Sequence, residues 1–239
     1  MTLVLYQHPF ASYCQKVLIA LYELGLPFES HLVEGDEGRA EVARLWPIAG
    51  IPVLRDEDAG LTLPESTTIV EYLDGLCAGG GTLIPADPRE ALQARLWDRV
   101  GDHHLATPMQ KVVGDALRPE GREDPEGVAE ARRLLDTAYG VLDARVADRP
   151  WAGGAEFTVA DCAMFPPLFY LHAIHRWDGE AYANITRYYR DLLARPSVAR
   201  VVEEARPYRD LFPLPWPADQ DELSGSPGTA GASPSQGGK

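Results

Sequence analysis

The stretch HPFASYCQKVLIALYELG, residues 8–25, decides the fold. Just before it, Thr2–Tyr6 is a short apolar run with β-forming Val and Tyr, closed by His8-Pro9, which reads as a buried strand. Within it, Val17, Leu18, Leu21 and Leu24 recur at spacings of three and four, one face of a helix that Gly25 and Pro27 stop. Strand, short loop and a helix with Cys14 in its first turn make the mouth of a thiol-handling site. The question is whether the working sulfur is Cys14 or belongs to a bound molecule.

Outward from this stretch, Phe28–Val33 reads as a second strand and Arg39–Trp46 as a short helix. Ile51–Leu54 and Leu61–Leu63 read as two more strands, and Ser66–Leu76 returns to helical spacing. The order is βαβ and then ββα, a small sheet covered by helices. Cys77-Ala-Gly-Gly-Gly-Thr and Pro85–Pro88 break the periodicity, and the pattern after Arg89 is helical throughout, with Pro108 bending or splitting one long helix. Glu126–Val146 is a further helix, and Asn184–Leu193 and Ser197–Ala205 complete the helical half.

Thr158-Val-Ala-Asp161 spells a capping box, with Phe157 and Cys162 placed for a hydrophobic staple. The helix it starts continues through Phe165, Leu168 and Phe169, with Pro166-Pro167 expected in its first turns. The expected architecture is an α/β domain over 1–78, a linker over 79–88, an all-helical domain over 89–216, and a Gly-, Ser- and Pro-rich tail over 217–239, read as disordered.

Length and charge narrow the function. A chain of 239 residues accommodates two modest domains. Its net charge of −14, spread along the chain, repels phosphate backbones and anionic membrane faces, so neither nucleic acid nor membrane is an expected partner. The three cysteines lie far apart, and no apolar run approaches a membrane span or a signal peptide. A cytoplasmic protein is expected.

Three segments together resemble one family: LYQHPFASYCQKVLIALYELGLPFE at the first strand and helix, GIPVL at Gly50–Leu54, and PESTTIVEYLD at Pro64–Asp74. The chain is similar to the cytosolic glutathione S-transferases, over roughly residues 1–210, with the box in EFTVADCAMFPPL where that family carries one. The resemblance implies a thioredoxin-like domain followed by an all-α domain, with glutathione as co-substrate and no other cofactor. A homodimer and a small hydrophobic electrophile as second substrate are further implications.

By that resemblance Pro52 is cis and aims the backbone of Ile51 at the bound peptide, while Glu65 and Ser66 at a helix N-terminus hold the γ-glutamyl group. Read alone, Ser66 is a plain helix cap and Pro52 a rigid turn. The chain departs from its relatives at two places. Where relatives with a C-x-x-C or S-x-x-C loop carry the working Cys or Ser, this chain has Ala11, which has nothing to donate. Ser12, Tyr13 and Tyr6 are the nearest hydroxyls; Ser12 is the expected catalytic donor and Tyr6 the second choice, although Ser12-Tyr-Cys-Gln15 is itself a capping box. Cys14 reads as a buried structural thiol rather than a nucleophile.

The second departure is Trp46-Pro-Ile-Ala-Gly50-Ile-Pro52, which lacks a lysine before the Ile-Pro pair. That loss weakens glutathione binding by about 1–3 kcal/mol unless His8, Lys16 or Arg39 substitutes. Phe10, His104 and Met109, with His103 and Phe165, are candidate walls of the electrophile pocket. Adjacent His103 and His104 diverge by about 100° on a helix, so no metal site is expected. A glutathione-dependent isomerase or dehalogenase, and a non-catalytic binding module on the same scaffold, are the competing readings.

Overall fold

The computed structural model describes residues 2–77 and 83–217, so most of the expected tail and part of the expected linker lie outside the described residues. The N-terminal elements are β1 (Leu3–Gln7), α1 (Ser12–Leu24), β2 (Glu29–Leu32), α2 (Gly35–Leu45), β3 (Val53–Asp56), β4 (Leu61–Pro64) and α3 (Ser66–Gly75). The strands form one mixed sheet in the order β2-β1-β3-β4; β2 runs parallel to β1, and the other pairs are antiparallel.

Alternation along β1 sends its side chains to two cores. Leu3 and Leu5 pack with Val17, Leu18 and Leu21 of α1 and with Ile69, Val70 and Leu73 of α3. On the opposite face, Val4 and Tyr6 join Val33, Val42 and Val53 beneath α2. Helix α2 starts a turn earlier than the apolar pattern suggests, because Asp36 and Glu37 suit the positive end of a helix.

The helical half comprises α4 (Pro88–Val100), a π-helical turn (Gly101–Ala106), α5 (Thr107–Ala116), α6 (Pro125–Val146), α7 (Val159–Ile174), α8 (Ala183–Leu193) and α9 (Pro196–Ala205), closed by a 3-10 turn (Arg206–Leu211). Helix α7 is its apolar axis, buried on every side from Val159 to His172. The capping box forms: Thr158 Oγ1 accepts from the Ala160 amide, and the Asp161 carboxylate accepts from the Thr158 amide at 2.9 Å.

Pro166 and Pro167 do not sit in the first turns of α7, as the sequence suggested, but in its middle. Pro167 has no N–H to give the Ala163 carbonyl one turn back. Gly101 packs against that spot so closely that a Cβ there would lie 3.0 Å from the Ala163 oxygen. The π-helical turn therefore opens where two backbones meet, and Pro108 begins the next helix instead of bending a continuous one.

Helix α1 begins differently from its sequence signature. Ala11 is the N-cap, and no side chain caps it. The Gln15 side chain turns away and donates to the Pro9 carbonyl at 3.0 Å and to the Tyr170 hydroxyl at 3.1 Å, which in turn donates to the Phe10 carbonyl at 2.8 Å. The Ser12–Gln15 capping box is thus not formed, because Gln15 is recruited to pin the loop against α7. Ser12 keeps its hydroxyl free of that duty.

Candidate active site

One cavity of about 400 Å³ opens between the sheet and the helical half. The four expected glutathione contacts, Ile51, Pro52, Glu65 and Ser66, line it, as do Tyr13, Arg99, Asp102 and His103. The Ile51–Pro52 peptide is cis. Glu65 has φ +68°, a left-handed conformation that costs a side-chain-bearing residue about 1–3 kcal/mol and is held by its surroundings. It precedes α3, whose first amides, at Ser66, Thr67 and Thr68, have no partner within the helix. Those amides and the positive end of α3 face the cavity and suit a carboxylate.

The cations proposed to replace the missing lysine are placed elsewhere. Arg39 pairs with Asp36 at 2.6 Å on the surface, and His8 approaches Glu34 at 3.7 Å and packs edge-on against Tyr208. Lys16 is buried, 2.6 Å from Asp98 and 2.8 Å from Asp102. Arg99 is the cation at the cavity wall, and sequence spacing gave no sign of it. It is held by Asp98 at 2.7 Å, Asp102 at 3.0 Å and the Thr67 hydroxyl.

A second, apolar cleft of about 260 Å³ adjoins α5 and the C-terminal turn. Phe10 and Met109 line it, as expected, with Val113, Tyr170, Phe212 and Ser12. His104 is exposed on the π-helical turn and contributes to neither cavity, whereas its neighbour His103 lines the polar one. Phe165 is fully buried in α7, stacked with Tyr189. Arg99, Asp102 and His103 stand at the three-and-four spacing of one helix face, and His104 falls off that face.

The candidate thiol donors separate clearly. Tyr6 packs at a tilt against His31 on the far face of the sheet, with ring centroids 4.4 Å apart, and contributes to neither cavity; strand alternation puts it there. Ser12 lines the apolar cleft, and its hydroxyl lies 3.5 Å from the Gln110 amide nitrogen. Tyr13 lines the polar cavity, and burial and the nearby Asp102 push its phenol above the ordinary value, so it stays protonated. Cys14 is completely buried, and burial pushes its thiol up to about 12. It packs α1 and does not act as a thiolate.

These features define a class: a thioredoxin-like domain that offers a peptide-sized polar cavity, completed by a helical domain that adds an apolar cleft beside it. Residues 5–80 match the family described as "Glutathione S-transferase, N-terminal domain", and residues 125–191 match "Glutathione S-transferase, C-terminal domain". Among curated proteins, the chain is similar to glutathione S-transferase GstB of Escherichia coli K12, 30% identical over 193 residues that cover 79% of this chain and 91% of that one. It is also similar to glutathione S-transferase F13 of Arabidopsis thaliana, 27% identical with 84% and 95% covered. Its fold is similar to that of a glutathione S-transferase from Methylobacillus flagellatus KT solved with glutathione bound: the TM-score is 0.75 at 27% identity, with 83% of this chain and 98% of that one covered. The chain belongs to the glutathione S-transferase family.

Proposed function

We propose that the protein is a glutathione transferase that adds the glutathione sulfur to a small apolar electrophile, with no cofactor besides glutathione as co-substrate. The observation that carries this reading is the adjacency of one lining residue from each cavity. Consecutive residues at the start of α1 line them, Tyr13 the polar one and Ser12 the apolar one. A peptide held by Ile51, Glu65 and Ser66 therefore brings its thiol to the point where an apolar partner enters. There the sulfur loses its proton to solvent and bonds to the electrophilic carbon, from which a leaving group departs with its electron pair or, in an activated alkene or epoxide, an existing bond opens and takes up a proton from solvent.

A free thiol of pKa ~8.5 is mostly protonated at neutral pH, so the site must favour the anion. Ser12, whose oxygen accepts from the Gln110 amide, keeps its hydroxyl proton to donate at the positive end of α1. Ser12→Ala is expected to lower kcat/KM by about 10²-fold, in the range for losing one preorganised donor, and to raise the pKa of the bound thiol read by thiolate absorbance. Unchanged activity in Ser12→Ala with loss in Tyr13→Phe would move the donor to Tyr13; unchanged activity in both would sink hydroxyl activation.

The protein is proposed to act in the cytoplasm, consistent with the absence, among the described residues, of any helix long and apolar enough to cross a membrane. It is also proposed to act as a homodimer. Supporting this, Leu92 and Leu96 sit exposed one turn apart on α4, and Leu134 and Val141 are exposed on α6. The double variant Leu92→Glu, Leu96→Glu is expected to run as a monomer by light scattering where the wild type runs as a dimer; a wild-type monomer would refute the assignment.

A further inference from the structure

The walls of the polar cavity are chemically uneven. Pairing of Val53 with Pro64 in the β3–β4 ladder sets Glu65 and Ser66 beside Pro52, while the loop 46–50 approaches the Ile51–Pro52 peptide from its other end. Charge gathers on the α3 side. Glu65 stands at the start of that helix, and Arg99 and Asp102 join it there through the Thr67 hydroxyl. The loop contributes Trp46, Ile48 and Gly50: an aromatic ring, a branched alkyl chain and no charge.

This imbalance bears on the thiol peptide of the reaction proposed above, and the inference rests on that reading. The γ-glutamyl group carries an ammonium and a carboxylate, which suit the α3 side, and the cysteinyl backbone lies at Ile51; the third residue then falls against Trp46 and Ile48. A carboxylate there meets no cation. Arg99 is the one permanent cation lining the cavity among the described residues, and Asp98, Asp102 and Thr67 hold it on the charged side. The chain's net charge of −14 further opposes a second negative charge on the peptide. What that end offers is apolar surface. Ile48 is 73% exposed, so an alkyl group seated on it removes apolar area from water on both partners.

We infer that the polar cavity prefers a γ-glutamylcysteinyl peptide whose carboxyl end is uncharged and apolar, an ester or alkyl amide of the third residue, over one that ends in a free carboxylate. Trp46 and Ile48 set this preference, and Gly50 omits the charge that would reverse it. A Cβ at Gly50 would meet nothing within 4 Å, and its φ is outside the left-handed region, so the position has room for a side chain. Glutathione binds through its first two residues and gains nothing from its third.

Calorimetric titration of the full chain with S-methylglutathione and with its glycyl ethyl ester compares the two carboxyl ends with the thiol chemistry left out. The ester is expected to bind about threefold more tightly, the worth of roughly one buried methylene. Ile48→Ser is expected to abolish that advantage. Gly50→Lys is expected to tighten S-methylglutathione about tenfold and leave the ester unchanged, which reverses the order. Equal or weaker binding of the ester by the wild-type chain, an advantage that survives in Ile48→Ser, or no gain in Gly50→Lys would each overturn the inference. Any of these with glutathione turnover intact leaves the transferase reading standing, whereas binding of neither probe at millimolar concentration overturns both.

Discussion

Lys16→Met is expected to destabilise the folded chain by about 3–5 kcal/mol, the cost of removing one partner from a buried ion pair. Lys16 is 1% exposed and Asp98 fully buried, with Asp102 nearly so. The ammonium is 2.6 Å from one carboxylate and 2.8 Å from the other, and also donates to the Thr67 hydroxyl at 2.8 Å. Arg99 touches both carboxylates as well, but its side chain is 47% exposed and supplies one positive charge where two negative ones remain. Removing Lys16 therefore leaves a net negative charge in low dielectric, between α1 of the first domain and α4 of the second.

A second substitution separates loss of charge balance from simple loss of packing. Adding Asp98→Asn should recover part of the loss, read by thermal denaturation, because the excess charge goes with it. No recovery would show that the ion cluster carries no net charge penalty. Because Thr67 and Asp102 also line the polar cavity, the single variant is further expected to raise the KM for glutathione.

How far the sequence discloses such a cluster is instructive. Lys16, Asp98 and Asp102 are 82 and 86 positions apart, and periodicity carries no record of which faces of two separate helices meet. Lys16 reads from sequence as a candidate for the glutathione carboxylate; the fold instead spends it on the domain interface. Local signals fared better. The β1–α1 unit, the α7 capping box and the Ile51-Pro52 turn are readable because each rests on residues within a few positions of one another. Ser12 shows the limit of that locality: its box signature is sound, yet Gln15 finds stronger partners in Pro9 and in Tyr170 from α7, so Ala11 caps the helix instead. The π-helical turn was illegible for a similar reason. It answers to the approach of Gly101 to Ala163, a contact between distant segments.

Asp161→Asn is expected to cost about 2–4 kcal/mol, the range for a buried network left with a donor facing a donor. The carboxylate is fully buried and accepts from the Thr158 amide at 2.9 Å, the Ala152 amide at 2.8 Å and the Tyr188 hydroxyl at 2.6 Å. An asparagine presents one oxygen to this set, so whichever way its amide turns, an N–H points at a backbone N–H, and the start of α7 or the 152 loop loses its anchor. The pH dependence follows from the native carboxyl. Burial pushes Asp161 up to about 6, against an ordinary 3.8, with the hydrogen bonds pulling the other way. Since the folded pKa is the higher, the native state holds the extra proton between the two values, and the group's contribution is largest below 3.8 and is lost as pH rises through 6. Asparagine does not titrate, so the stability gap between wild type and variant should widen as pH is lowered from 7 towards 4, measured by urea denaturation at each pH. A gap that narrows over that window would mean that Asp161 is held ionised in the native state, its hydrogen-bond donors outweighing its burial.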